Sequence, residues 1–269
     1  MYKRQGLGNG LREVSRAIVR FEPDGTVEVR HCWTEMGQGI HTVARQVAVE
    51  ELGVEAERVR VVVDTTRELG AGQTTGSRGT LMGAGAVAEA CREAIADGCR
   101  TGVDYEGEWV VDWTNSIGSV EQPVIHSAFG YAAQLVVFDR ETANIVKVVA
   151  AHDVGRAVNP TLCAGQVVGA VHMGLGYALT EEFPADADGR PTNMTLRSLD
   201  ILRAKDVPPI EVHLVEVPQP RSPYGVKGVG EIGLVPTAGA VAAALHDLDG
   251  DWRTVLPMQP RRAPAAVAG

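Results

Sequence analysis

The sequence predicts an α+β fold of two related lobes, each a mixed sheet with helices. Two observations carry this. A strand–turn–strand pattern followed by a helical period and a further strand or loop occurs twice along the chain. In addition, 269 residues with 45% apolar content exceed one typical domain and can fill two packed cores. Aromatics are few and glycines number 31, so aliphatic packing and close backbone approach must do much of the work.

The elements follow in order. Arg16 to Phe21 and Val27 to Cys32 flank Pro23-Asp24-Gly25, which supplies the turn chemistry of a hairpin. Ile40, Val43, Ala44, Val47, Ala48 and Leu52 then recur at helical spacing, and Gly53 is placed to stop that helix. "VRVVVD" (59–64) reads as a buried strand. The polar, glycine-rich segment Thr65 to Thr80 feeds an alanine-rich helix running to about Cys99. A second hairpin, Tyr131 to Phe138 and Ile145 to Ala151, turns over Arg140 to Asn144. Asn159 and Pro160 are the N-cap and first residue of a helix reaching about Glu181, with Gly165, Gly169 and Gly176 as a smooth face. "IEVHLVEV" (210–217) alternates as a strand should, and Pro236 opens the last substantial helix. The lobes are expected to divide as residues 1–120 and 121–269. Order is expected to fail in the Pro/Ala-rich final residues and the first few.

Composition narrows the function. A formal charge of −9 opposes a nucleic-acid surface, and the Arg261-Arg262 pair is too short to offset it. No stretch is read as approaching a membrane span, and no signal peptide opens the chain. Cys32, Cys91, Cys99 and Cys163 have neither zinc nor iron–sulfur spacing, and read as reduced thiols of a cytoplasmic protein.

Three segments could carry chemistry. "TEMGQGIHT" (34–42) sits where a strand ends and a helix begins, where free N–H groups suit an anion. Gly37 and Gly39 clear the approach, and Gln38 offers an amide; the pattern equally suits a plain tight turn with Gln38 in solvent. "GQTTGSRGT" (72–80) repeats the logic: Thr74, Thr75, Gly76, Ser77, Arg78, Gly79 and Thr80 mix hydroxyls and small residues before a helix. A flexible surface loop is its bland alternative. "KGVGEIG" (227–233) sets one carboxylate, Glu231, among glycines. Gly228, Gly230 and Gly233 match the spacing of a dinucleotide-binding turn. "PQPRSPYGVK" before them is no strand, however, and Pro236 lies where that turn's helix should continue. A nicotinamide site is therefore rejected, and the three segments favour one shared polyanionic ligand.

These motifs, with "VGRAVNP" and "GQVVGAVHMGLGYALTEEF", resemble in order and spacing the molybdopterin-binding large subunit of molybdenum hydroxylases, the xanthine dehydrogenase and aldehyde oxidase group. The resemblance covers nearly the whole chain but only the second half of that subunit, and leans toward the xanthine dehydrogenase-like branch. It implies a molybdenum–pterin cofactor that no side chain of this chain ligates through the metal. Gly37, Gln38 and Gly39 would contact it, Thr74 to Thr80 would hold pterin and phosphate, Gly230 would flank it, and Glu231 would be the catalytic base. The reaction implied is hydroxylation, with water, of an electron-poor carbon in a purine, N-heterocycle or aldehyde. In "VHMGLG" the family often has glutamine where Met173 stands, so neither Met173 nor His172 is placed in the site. The resemblance further implies the first half of the subunit as partner, with iron–sulfur (2Fe-2S) clusters and FAD on other domains or subunits. The alternative is a non-catalytic cofactor scaffold or a degenerate remnant.

Overall fold

A computed structural model describes residues 1–63, 66, 69 and 74–258. Gly72 and Gln73 of the second motif, most of the polar run before Thr74, and the Arg261-Arg262 pair lie outside the described residues. Eight strands form two four-stranded sheets. The first hairpin, β2 (Glu13–Phe21) and β3 (Val27–His31), is antiparallel from Ala17↔His31 to Phe21↔Val27. Helix α1 (Ile40–Leu52) follows and ends on Gly53, whose φ of 62° permits the left-handed cap. Strand β4 (Val59–Val62) returns parallel to β3. Helix α2 (Gly79–Ala96) then lies beside α1 and across β2.

The second half repeats this order. Strands β6 (Ala128–Phe138) and β7 (Ile145–Asp153) form the hairpin, and helix α3 (Pro160–Leu179) follows. Asn159 caps α3, its side chain accepting from the Leu162 N–H at 3.0 Å. Strand β8 (Ile210–Val215) returns parallel to β7, and α4 (Thr237–Asp249) closes the unit. Each half is thus β–β–α–β–α, the α+β architecture expected.

Two strands depart from expectation. Tyr2–Gln5, expected to lack order, is strand β1, antiparallel to β6. Asp104–Val111, read as no element, is strand β5, antiparallel to β2. Both are edge strands and each directly precedes a hairpin, so β5, although it lies before residue 120, belongs with the second β–β–α–β–α unit. Each pairs in the other unit's sheet, the orders being β4-β3-β2-β5 and β1-β6-β7-β8. The halves are therefore interlocked, because the strand preceding each hairpin completes the opposite sheet. Charged and glycine-containing edge strands carry little of the alternation that reveals a half-buried one. Strand β4 is also less buried than expected, with only Val59 fully enclosed, because it too is an edge.

Two cores result. Val19, Val29, Val47, Met82, Val87 and Val111 lie between the first sheet and α1/α2, and Val136, Val148, Val171, Leu175, Val241 and Leu245 under α3/α4. The first sheet also carries cross-strand ion pairs, Arg16–Glu108 at 2.8 Å and Arg20–Asp104 at 3.0 Å. All four cysteines are free thiols, and burial pushes Cys91 up to about 12, far from thiolate reactivity. The expectation that no stretch reaches a membrane span's length needs correcting. Among the described residues α3 is long and apolar enough by length and composition, although its inner side packs on β8 and α4.

Candidate functional site

The three motifs meet. Gly37, Gln38, Thr74 to Thr80, Gly230 and Glu231 all line one cavity of about 590 Å³. Its remaining wall comes from the β7–α3 connection and the first turns of α3, including Arg156, Asn159, Leu162 and Gln166. Gly39 does not line it. This residue turns the chain into α1 at φ 85°, and a Cβ there would meet Leu162 Cδ1 at 2.6 Å, so its role is to admit α3.

Backbone proximity holds the loops together. The Thr34 N–H donates to Thr74 Oγ1 at 2.9 Å, and the Gly6 N–H to the Gly76 carbonyl at 2.9 Å. Gln5, buried at the end of β1, clamps Gly228 from both sides: its Nε2 donates to the Gly228 carbonyl at 2.8 Å and its Oε1 accepts the Gly228 N–H at 2.6 Å. Ser77 lies against the same glycines, and its Oγ accepts the Glu231 N–H at 3.3 Å. A Cβ on Gly228 would stand 1.5 Å from the Ser77 carbonyl oxygen, and one on Gly230 2.8 Å from Ser77 Oγ. In sequence these glycines suggest cleared space beside a metal centre. In the fold the space they leave is taken by the Ser77 loop.

Two further expectations change. The N-terminus of α1, expected to be open to an anion, is closed by the protein's own: Glu35 accepts from the N–H groups of Gly37, Gly39 and His41 at 2.8, 2.9 and 3.1 Å. Burial opposes the Glu35 charge, yet the Gly39, His41 and Gly37 amides outweigh it and hold the carboxyl below its ordinary range. Gln38 folds onto its own turn, accepting from the Met36 N–H at 2.5 Å and donating to the Thr34 carbonyl at 2.6 Å. Arg78, 2% exposed, pairs with buried Glu13 at 2.8 Å and lies 5.3 Å over the Trp33 ring. Its charge is balanced within the protein.

What remains open to a ligand is a different set. The Arg78 cap position leaves the N-terminus of the 18-residue α2 without a side-chain cap, and that end faces the cavity. The hydroxyls of Thr75 and Thr80 and the exposed guanidinium of Arg156 engage no described residue. The Glu231 carboxylate is exposed at the cavity and likewise makes no hydrogen bond or ion pair with a described residue. Below it Lys227 and Asp153 form a buried pair at 2.5 Å, with Asp153 also accepting the Gly155 N–H at 3.1 Å. Lys227 and Arg156 stand within the quoted motifs without marking themselves as cavity residues, and Asn159 marks itself only as a helix cap. Nothing local points to Gln5. His172, kept out of the site, contacts the Leu202 carbonyl at 2.7 Å, and Met173 faces outward from α3, outside the cavity lining.

Residues 2–102 and 96–208 each match the molybdopterin cofactor-binding domain, the first match running from β1 through α2 and the second from β5 through α3. The chain belongs to that family. Its cofactor is molybdopterin. The chain is similar to two proteins of Escherichia coli O157:H7. One is the aldehyde oxidoreductase molybdenum-binding subunit PaoC, 30% identical over 91% of this chain and 37% of that protein. The other is the xanthine dehydrogenase molybdenum-binding subunit, 28% identical over 93% of this chain and 39% of that protein. The crystal structure of the aldehyde oxidoreductase from Desulfovibrio desulfuricans superposes with a TM-score of 0.80 at 25% identity, covering 93% of this chain and 29% of that one. The aldehyde oxidoreductase of Desulfovibrio gigas, at 23% identity and TM-score 0.82, shares the fold. The chain thus spans somewhat more than a third of these two relatives, each named as a molybdenum-binding subunit.

The open donors fit this cofactor. An uncapped helix N-terminus, two hydroxyls and a guanidinium around one cavity suit a phosphate-bearing pterin. Among the described residues no group of three or more His, Cys, Asp or Glu could hold a metal ion, so the donors suit the pterin and phosphate parts of the cofactor.

Proposed function

We propose that the chain is the part of a molybdenum hydroxylase that holds the pterin and presents the catalytic base, completed by the remainder of the subunit. One observation carries this: the cavity joins the Thr74–Thr80 loop to a carboxylate, Glu231, that has no partner among the described residues. The amides at the start of α2 and the Thr75 and Thr80 hydroxyls bind the phosphate and pterin, with Arg156 adding charge at the rim. Gly37, Gln38, Gly76, Ser77 and Gly79 shape the approach, and Gly39 and Gly230 hold it through the packing of Leu162 and Ser77. When bound, the molybdenum cofactor supplies the two-electron oxidation that a carboxylate cannot. Glu231 takes up at its carboxylate the proton lost from the attacking water. The substrate class is an electron-poor carbon of an aldehyde, purine or N-heterocycle.

Partners carrying 2Fe-2S clusters and FAD would remove the electrons, and the division at residues 120/121 would separate a pterin-holding part from the part bearing Glu231. Alone, the chain should hold pterin poorly and turn over no substrate. A second reading, a scaffold that binds cofactor without catalysis, draws on Gln38 and Arg78 being committed within the protein. One substitution separates the readings. In the assembled complex, Glu231→Gln should leave molybdenum and pterin content unchanged and lower hydroxylation roughly 10²–10⁴-fold, because an amide cannot accept the proton. Full turnover by the loaded variant would reject the catalytic reading.

A further inference from the structure

Helix α3 has one face too many without a partner. Its twenty residues contain no Asp, Glu, Lys or Arg, although an outward face of a solvated helix normally carries charge. The inner face packs on β8 and α4. Outside it exposes Val168, Met173 at 53% and Tyr177 at 54%. The segment after the helix also exposes Phe183, Met194 at 78% and Leu196 at 75%. That segment is tied back to the helix by Thr180 Oγ1 donating to the Asp200 carbonyl at 2.6 Å.

Two glycines on the same face sharpen the reading. Helical spacing groups them with Gly176 on one face, but there Glu181 already covers Gly176, its Oε1 standing 2.2 Å from where a Cβ would be. At Gly165 and Gly169 a Cβ would meet nothing within 4 Å, so nothing inside this chain requires glycine there. Each weakens the helix that contains it. The first turns of the same helix wall the cofactor cavity through Leu162, Cys163 and Gln166.

We infer that the outer face of α3 is the docking surface for the remaining part of the molybdenum-binding subunit, the portion this chain does not span. The length of chain outside this one argues for that occupant, because relatives extend to well over twice the matched region. So does the position of the face, since whatever covers it abuts the cavity wall and would help enclose the cofactor. The chemistry expected of the partner is an aliphatic or aromatic surface without charge, its side chains seated over Gly165 and Gly169 between Val168, Met173 and Tyr177. This inference rests on the proposed function, so its test must fail separately.

The probe is the segment of Escherichia coli PaoC outside the aligned region, co-expressed with this chain and followed by size-exclusion chromatography with light scattering. A one-to-one complex is expected. Gly169→Arg should weaken it at least tenfold while leaving the circular dichroism of the isolated chain unchanged, because the new side chain enters open space. Ile95→Glu, on the exposed side of α2, should leave it intact. Three results overturn the inference: no complex, a complex indifferent to Gly169→Arg, or loss through that variant of either a dimer of this chain or binding to phosphatidylglycerol vesicles instead. Pterin measured on the same samples separates the two ideas. A complex without pterin refutes the proposed function and leaves the docking face standing. A pterin-loaded complex that survives Gly169→Arg refutes the face alone.

Discussion

Substituting Gly228 by alanine tests whether contact with the Ser77 loop, rather than cofactor approach, is what requires glycine there. The added Cβ would lie 1.5 Å from the Ser77 carbonyl oxygen, 2.5 Å from its carbon and 2.9 Å from Ser77 Cβ. Backbone on both sides is fixed, so the loops must part by about 2 Å to restore an ordinary contact. A shift of that size breaks both Gln5 hydrogen bonds, at 2.6 and 2.8 Å, and the Glu231 N–H bond to Ser77. Overpacking costs about 1–3 kcal/mol. Each lost hydrogen bond adds about 1 kcal/mol. Together these effects should make Gly228→Ala destabilise the isolated chain by about 4–6 kcal/mol. Urea unfolding followed by circular dichroism reads this as a lower midpoint at unchanged slope. The control is the same substitution where space is open: Gly169→Ala should stabilise by up to about 1 kcal/mol through helix propensity. If Gly228→Ala unfolds within about 0.5 kcal/mol of the parent, the close approach of the two loops is not what holds the cavity together.

Other perturbations follow from the same packing. Lys227→Met strands the Asp153 carboxylate, buried with its partner, and should cost about 3–5 kcal/mol; the double variant with Asp153→Leu should recover most of that in urea, and no recovery would deny that the stranded charge is the cause. Burial, with His41 beside it, lowers His31 to about 4, and burial alone lowers His152 to about 4. Gln134 Nε2 faces His152 Nε2 at 3.1 Å, and an amide nitrogen can only donate, so the neutral imidazole is the form that fits. Below the unfolded value near 6.5 the unfolded chain takes protons the native state refuses, so stability is full above that pH and falls toward 4. The slope should be roughly 1.4 kcal/mol per pH unit for each histidine. Urea midpoints between pH 7 and 5 should show it, and His152→Gln should halve it; a flat profile would show that neither histidine is held neutral.

The uncommitted groups, not the motif residues as a class, define what the cavity can bind. Arg78 and Gln38 look like ligand contacts in a linear reading because one offers charge and the other an amide. Folding commits both locally, Arg78 to Glu13 and Gln38 to the turn it belongs to. The helix end left open is that of α2, while α1 is closed by Glu35.

The sequence alone determined whatever depends on neighbours in the chain. Pro23-Asp24-Gly25 specifies a turn, the Ile40-to-Leu52 spacing specifies a helix ending at Gly53, and Asn159-Pro160 starts another; each found its place because dihedral preference and side-chain period are local. Motif order was likewise readable, and with it the family. Only the tertiary structure decided that β1 pairs with β6 and β5 with β2, interlocking the halves, because edge strands choose partners by long-range pairing rather than by their own pattern. It alone decided that Gln5 holds Gly228 across 223 positions and Glu13 neutralises Arg78 across 65. Which polar groups remain free for a ligand is the remainder after all such pairs have formed. That remainder is set by distances between residues far apart in the chain, which no local pattern encodes.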